Sequence, residues 1–166
     1  VARRLEEPFQ PATFILRLEL AKTLVSIDAE KLQLGVNELV NLLHERETNS
    51  WNLRIDAIRA LGRIGSRAKS AVPALIGLTK DKRPRIAAFA AVTAIQIDPM
   101  VSDEAWAFLR ESLTVDHPAD HLQDEQEQRL RACIRVLETQ KDMALAFLPE
   151  LIALINDPTG DYLSEA

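Results

Sequence analysis

Residues 51–81 read WNLRIDAIRALGRIGSRAKSAVPALIGLTKD, and this stretch decides the fold. Its first half places Ala57, Ile58, Leu61 and Ile64 at helical spacing, with Arg54, Arg59 and Arg63 off that face. Its second half repeats the pattern with Val72, Leu75, Ile76 and Leu78, and Gly65 and Ser66 punctuate the join. Pro73 sits near the start of the second half, where a missing N–H costs little. The spacing therefore predicts two short amphipathic helices folded back on each other as a hairpin. A lone pair of this kind leaves apolar surface uncovered, so neighbouring copies have to bury it.

Those copies are visible on both sides. Upstream, Pro11 and Thr13 start a helix carrying Ile15, Leu18, Leu20, Ala21, Leu24 and Ile27; Asp28 to Gln33 reads as a turn, and Val36, Leu39, Val40, Leu42 and Leu43 mark its partner. Downstream, Pro84 opens a helix through Ile86, Phe89, Val92 and Ile95, which Asp98-Pro99 ends; Asp103 to Leu113 follows, with Trp106, Leu109 and Leu113 on one face. A last pair begins near Gln128 with Leu130, Ile134 and Leu137 inward, turns around Gln140 to Met143, and continues through Phe147, Leu148, Leu151, Ile152, Leu154 and Ile155. At an offset of 76 residues, Ile58 falls on Ile134, Arg59 on Arg135, Leu61 on Leu137, Pro73 on Pro149 and Leu75 on Leu151. Two pairs in that interval give a repeat of about 38 residues, within the range of helical solenoids.

The run Arg-Ile-Asp-Ala-Ile-Arg-Ala-Leu-Gly-Arg-Ile-Gly (54–65), followed by Ala-Val-Pro-Ala-Leu-Ile (71–76), resembles a bacterial HEAT repeat, of the HEAT-like type also seen in phycobilisome lyases. The likeness is close over 51–97, fair over 12–45 and 128–157, and weak over 98–127. It implies an all-α, right-handed α-solenoid of about four antiparallel helical pairs, whose second helices line a concave surface. It also implies protein–protein contact as the commonest role. The expected organisation is a linker or the end of a preceding element at 1–11, a repeat domain at 12–157 with pairs near 12–45, 51–81, 84–113 and 128–157, an acidic insertion at 114–127, and a tail at 158–166.

Composition agrees with helices: 47% hydrophobic, 27% charged and only 5% aromatic residues favour Ala, Leu and Ile over the aromatic residues that strands prefer. A net charge of −5 argues against a generic nucleic-acid coat protein. The single cysteine, Cys133, excludes an intramolecular disulfide and a cysteine-clustered zinc site, reads as a small buried hydrophobe, and fits a reducing, cytoplasmic setting. No apolar run reaches the roughly 20 residues that span a bilayer. The chain starts at Val1 rather than Met, and so reads as a piece of a longer protein.

Charge is unevenly spread. Residues 51–85 carry nine basic side chains against Asp56 and Asp81, whereas residues 98–127 carry nine acids against Arg110. One reading is a solvated surface; the other is a bipolar surface that steers a charged partner or supports head-to-tail self-association. Arg17, Arg54 and Arg85 recur near the starts of the first helices. They read either as a basic ladder for an acidic partner or as a polar ladder between repeats, with Asp81 pairing Arg85 as an example.

Catalytic signatures are weak. Asp116-His117-Pro118-Ala119-Asp120-His121 looks like a metal cluster but lacks a third or fourth ligand, and Pro118 disrupts the helix that would align its histidines. His44-Glu45 is similar to the His-Glu pairs of HEAT-like deoxyhypusine hydroxylase, whose di-iron chemistry needs several such pairs. A glycosylase-type DNA-binding protein would need a basic concave face joined to aromatic and acidic groups, and only Trp51 and Trp106 offer a large ring. A lyase-like or chaperone-type protein acting on a client subunit rests on likeness of fold alone. The expectation is thus a non-catalytic scaffold or regulatory module with no cofactor and no metal, binding a charged protein. Its exposed second-helix positions are Asn41, His44, Gly77, Lys80, Phe108, Glu111, Ala153 and Asn156, with burial of Phe108 by the acidic insertion as the alternative, and Lys82 and Arg83 extend the candidate partner-binding set.

Overall fold

The computed structural model describes residues 11–27, 29–44, 51–114 and 124–156, and every regular element among them is helical. In chain order the α-helices are α1 (Pro11–Ile27), α2 (Ala29–Leu43), α3 (Trp51–Ile64), α4 (Val72–Leu78), α5 (Pro84–Ile97), α6 (Asp103–Leu113), α7 (Asp124–Glu138), α8 (Lys141–Ala146) and α9 (Leu148–Ile155). A 3-10 segment, Gly65–Ala71, joins α3 to α4, and a shorter one, Pro99–Val101, joins α5 to α6. The first helices stack in series, α3 on α5 on α7, while α2, α4 and α6 pack against the helices that precede or follow them. The result is an α-solenoid.

Its centre is α5 rather than α3. Eleven of the helix's residues are buried, from Ile86 through Ile97, because α3, α4, α6 and α7 surround it. Ala87, Ala88, Ala90, Ala91 and Ala94 permit that approach from all sides, as a helix apolar all round requires. Pro84 in its first turn forfeits no hydrogen bond, and Asp98, in extended backbone, ends it.

Proline and glycine act where the sequence places them. Gly65 has φ of +65°, the left-handed conformation that lets the chain leave α3 and enter the 3-10 segment. Pro73 and Pro149 lie in the first turns of α4 and α9. The 76-residue offset that superposes these prolines also carries the 3-10 segment onto α8 and the buried Phe147, so both second helices are preceded by a short separate turn of helix.

Three expectations are corrected. Helix α2 begins at Ala29, not after a turn ending at Gln33, since Ala29-Glu30-Lys31-Leu32-Gln33 are all good helix formers. Helix α7 begins at Asp124, ahead of Gln128, so the last residues of the acidic stretch belong to its first turn. In α1 the core face is Phe14, Leu18 and Ala21, whereas Ile15 and Leu20 are exposed. Apolar residues lie all round that helix, so period alone could not select its inner face.

Candidate functional site

The candidate surface is built around the turn between α4 and α5. Arg54, one turn into α3, is expected off the apolar face, yet it is 6% exposed. Its Nε donates to the Leu43 carbonyl at 3.0 Å, satisfying one of the orphan acceptors at the end of α2. Its Nη2 meets Asp81 Oδ2 at 3.1 Å, and the other oxygen of Asp81 accepts the Arg83 backbone N–H at 2.9 Å. A buried ion pair with further hydrogen bonds thus fixes the turn that presents Lys82 and Arg83.

Two clefts flank that turn. The first, of about 690 Å³, is lined by His44 from the end of α2, by Pro73, Ala74 and Gly77 of α4, and by Lys80, Lys82 and Arg83. The second, of about 460 Å³, lies between Trp51, the start of α5 and α7, and shares Lys82 and Arg83 as a wall. Of the residues singled out from sequence, the first cleft therefore gathers His44, Gly77, Lys80, Lys82 and Arg83.

The others lie elsewhere. Asn41 is exposed and donates to Glu38 Oε2 at 3.3 Å. Glu111, Ala153 and Asn156 are exposed, Asn156 at the end of α9. Phe108 is not exposed as its position suggests. It is half-buried against the core, and the Arg129 guanidinium sits 5.8 Å from its ring centre, because α7 packs on α6 and covers it.

The recurring arginines divide. Arg17 pairs with Glu38 at 2.6 Å across α1 and α2, and Arg54 pairs with Asp81, so both stitch helices together. Arg85 does not take Asp81, which Arg54 already holds; it lies over the Trp51 ring at 5.3 Å instead. Arg131 and Arg135, which bring α7 into the second cleft, were missed at the sequence level. The signal was present: Gln128, Arg131, Ala132 and Arg135 sit at i, i+3, i+4 and i+7, one stripe of a helix. What could not be read was which neighbouring element that stripe faces.

Chemistry at the remaining candidates is limited. Burial pushes the Cys133 thiol up to about 11, against a hydrogen bond from Ser112 that acts the other way, so the sulfur stays protonated near neutral pH. The stretch 116–121, with His117 and His121, lies outside the described residues. Among the described residues no three His, Cys, Asp or Glu side chains are grouped to hold a metal ion, and no helix is long and apolar enough to cross a membrane.

Compared with known families, the model for HEAT repeats matches residues 36–124, more than half of the chain. The chain belongs to the HEAT-repeat family. No curated protein and no solved structure matches it. The matched segment of this HEAT-repeat protein runs from α2 to the start of α7 and contains the whole α4–α5 turn with the first cleft. HEAT repeats commonly mediate protein–protein interaction, and that role is the family's bearing on this chain.

Proposed function

We propose that this HEAT-repeat chain is a non-catalytic protein-binding module, a scaffold or regulatory element, that engages its partner through the α4–α5 turn and the clefts beside it. One observation carries the reading. Asp81 and Arg54 hold the turn rigidly, and it displays Lys80, Lys82 and Arg83 with no carboxylate of the described residues paired to their side chains. Some cations elsewhere are matched among the described residues, Arg17 with Glu38, Lys22 with Glu19, Arg59 with Asp56 and Lys69 with Asp98, and others such as Arg63 and Arg67 are not; the turn is set apart by three unmatched cations within four residues. A preorganised, uncompensated positive ridge favours an acidic partner and costs little ordering on binding.

The test is a pull-down from the source cell extract, with the triple variant Lys80→Glu, Lys82→Glu, Arg83→Glu as control and mass spectrometry as readout. A protein retained by the native chain and lost by the variant supports the reading. Identical retention by both would reduce the ridge to a solvated face.

A second reading is favoured by a different feature. Both end helices expose apolar side chains, with Leu16 at 69% on α1 and Ile155 at 71% on α9, and solenoid ends of that kind require a cover. In that reading the segment stacks on further helices or on another copy, and acts as a spacer.

A further inference from the structure

The second cleft differs from the rest of the surface in its charge balance. Lys82, Arg83, Arg85, Arg131 and Arg135 converge on it from the α4–α5 turn, from the first turn of α5 and from α7, and none of the described residues lining it is a carboxylate. Of these five, only Arg131 has an acidic partner among the described residues, Glu127 at 2.6 Å to Nη2, and its buried Nε has no acceptor among them. Trp51, Pro84 and Ala132 form the apolar part of the wall, and the Trp51 ring supports the Arg85 guanidinium. Like charges gathered in one cleft repel one another, and an anion seated among them would offset that repulsion.

We propose that this cleft binds a dianionic group carried on a peptide segment of the partner: a phosphorylated side chain, or two adjacent carboxylates. The inference rests on the protein-binding reading and adds the chemistry recognised. Guanidinium forks suit phosphoryl and carboxylate oxygens in bidentate geometry, and one monoanion would leave most of the five cations uncompensated. A volume of about 460 Å³ suits one or two side chains, with Trp51 and Pro84 available to an apolar neighbour in the peptide. Nucleic acid is disfavoured because phosphate tracking needs an extended basic path, whereas this chain carries a net charge of −5 with its cations gathered in one pocket.

Fluorescence anisotropy on the whole chain tests it, using three labelled peptides that share apolar flanks and differ at the centre: phosphoserine, Asp-Asp or Ala-Ala. A single-stranded oligonucleotide serves as a fourth probe. The first two peptides should bind, the phosphorylated one more tightly, and the Ala-Ala peptide should not. The double variant Arg131→Gln, Arg135→Gln should weaken binding roughly tenfold or more. Arg85→Gln, exposed on α5 and losing only its contact with the Trp51 ring, should weaken it with at most a small change in melting temperature, so a folding defect in the double variant leaves the test intact. Arg63→Gln, outside the cleft, should bind as the native chain does. Equal binding of all three peptides, indifference to both arginine variants, or binding of the oligonucleotide alone would overturn the proposal. Lys80 lines only the first cleft. If the peptides fail while a partner is still lost on Lys80→Glu, this site falls and the protein-binding reading survives.

Discussion

Gly35 sits where α2 crosses α1 most closely. A Cβ built there would stand 2.6 Å from Val25 Cγ2 and 2.8 Å from the Ala21 carbonyl oxygen, and a backbone atom cannot yield as a flexible side chain can. Gly35→Ala should therefore destabilise the chain by about 1–3 kcal/mol, the usual cost of overpacking. Gly77 is the opposite case, helical and with nothing within 4 Å of the same constructed atom. Gly77→Ala should stabilise by up to about 1 kcal/mol through helix propensity alone. Thermal and urea melts of the two variants check both signs. The two glycines look alike in the sequence, each inside a helical pattern, and only the distance to the neighbouring helix separates them. Arg54 teaches the same lesson. Its spacing reads as solvent-facing, but the carbonyl end of α2 and the carboxylate of Asp81 both lie within its reach, and together they offset the cost of burying it.

At the scale of elements, the joint between α5 and α6 is held by Asp98. Its Oδ1 accepts the Met100 N–H at 3.3 Å, its carbonyl accepts the Ser102 hydroxyl at 2.6 Å, and Lys69 Nζ lies 2.8 Å from Oδ2. The hydrogen bond from Lys69 holds this carboxyl below its ordinary value of 3.8, more than offsetting the desolvation that opposes it. Since the folded value is the lower one, the carboxylate's contribution to stability is fully present above pH 3.8 and is lost as the pH falls through the folded value. Asp98→Asn keeps a side-chain cap but loses the charge. It should melt lower than the native chain at neutral pH, and the gap should close on acidification below that value. A gap that persists unchanged in acid would assign the loss to packing instead. Boundaries such as Asp98-Pro99 and Pro84 were legible because they act through backbone chemistry. The split of the last second helix into α8 and α9 was not. It turns on Phe147, which leaves helical geometry, is fully buried and stacks 5.3 Å from Trp106, a contact between different pairs.

For the whole molecule, the open question a solenoid poses is what covers its ends. Helix α9 has no buried residue although most of it is apolar, and Leu148, Ile152 and Ile155 are all exposed. On α1, Ile15, Leu16 and Leu20 are exposed likewise. If these faces associate, light scattering on the isolated chain should show a mass that rises with concentration, and Ile152→Glu with Ile155→Glu should abolish the rise. A monomer at all concentrations, native and variant alike, would remove the self-association form of the spacer reading. Neither outcome bears on the cationic clefts, which lie at the α4–α5 turn and use other residues.

By itself the sequence determined that this chain is helical, where most of its helices start and stop, and that they recur as a HEAT-type repeat. Those properties follow from the spacing of apolar residues and from proline and glycine, which act over a few neighbouring positions. Tertiary structure decided which face of α1 turns inward, that Arg54 is buried, and that Phe108 is covered by α7. It also decided that Trp51 and Arg85 share a cleft with Arg131 and Arg135. Such contacts join residues dozens of positions apart, and they depend on how one repeat is rotated on the next. That rotation is set by side-chain packing along α3, α5 and α7, which no periodicity within a single helix encodes.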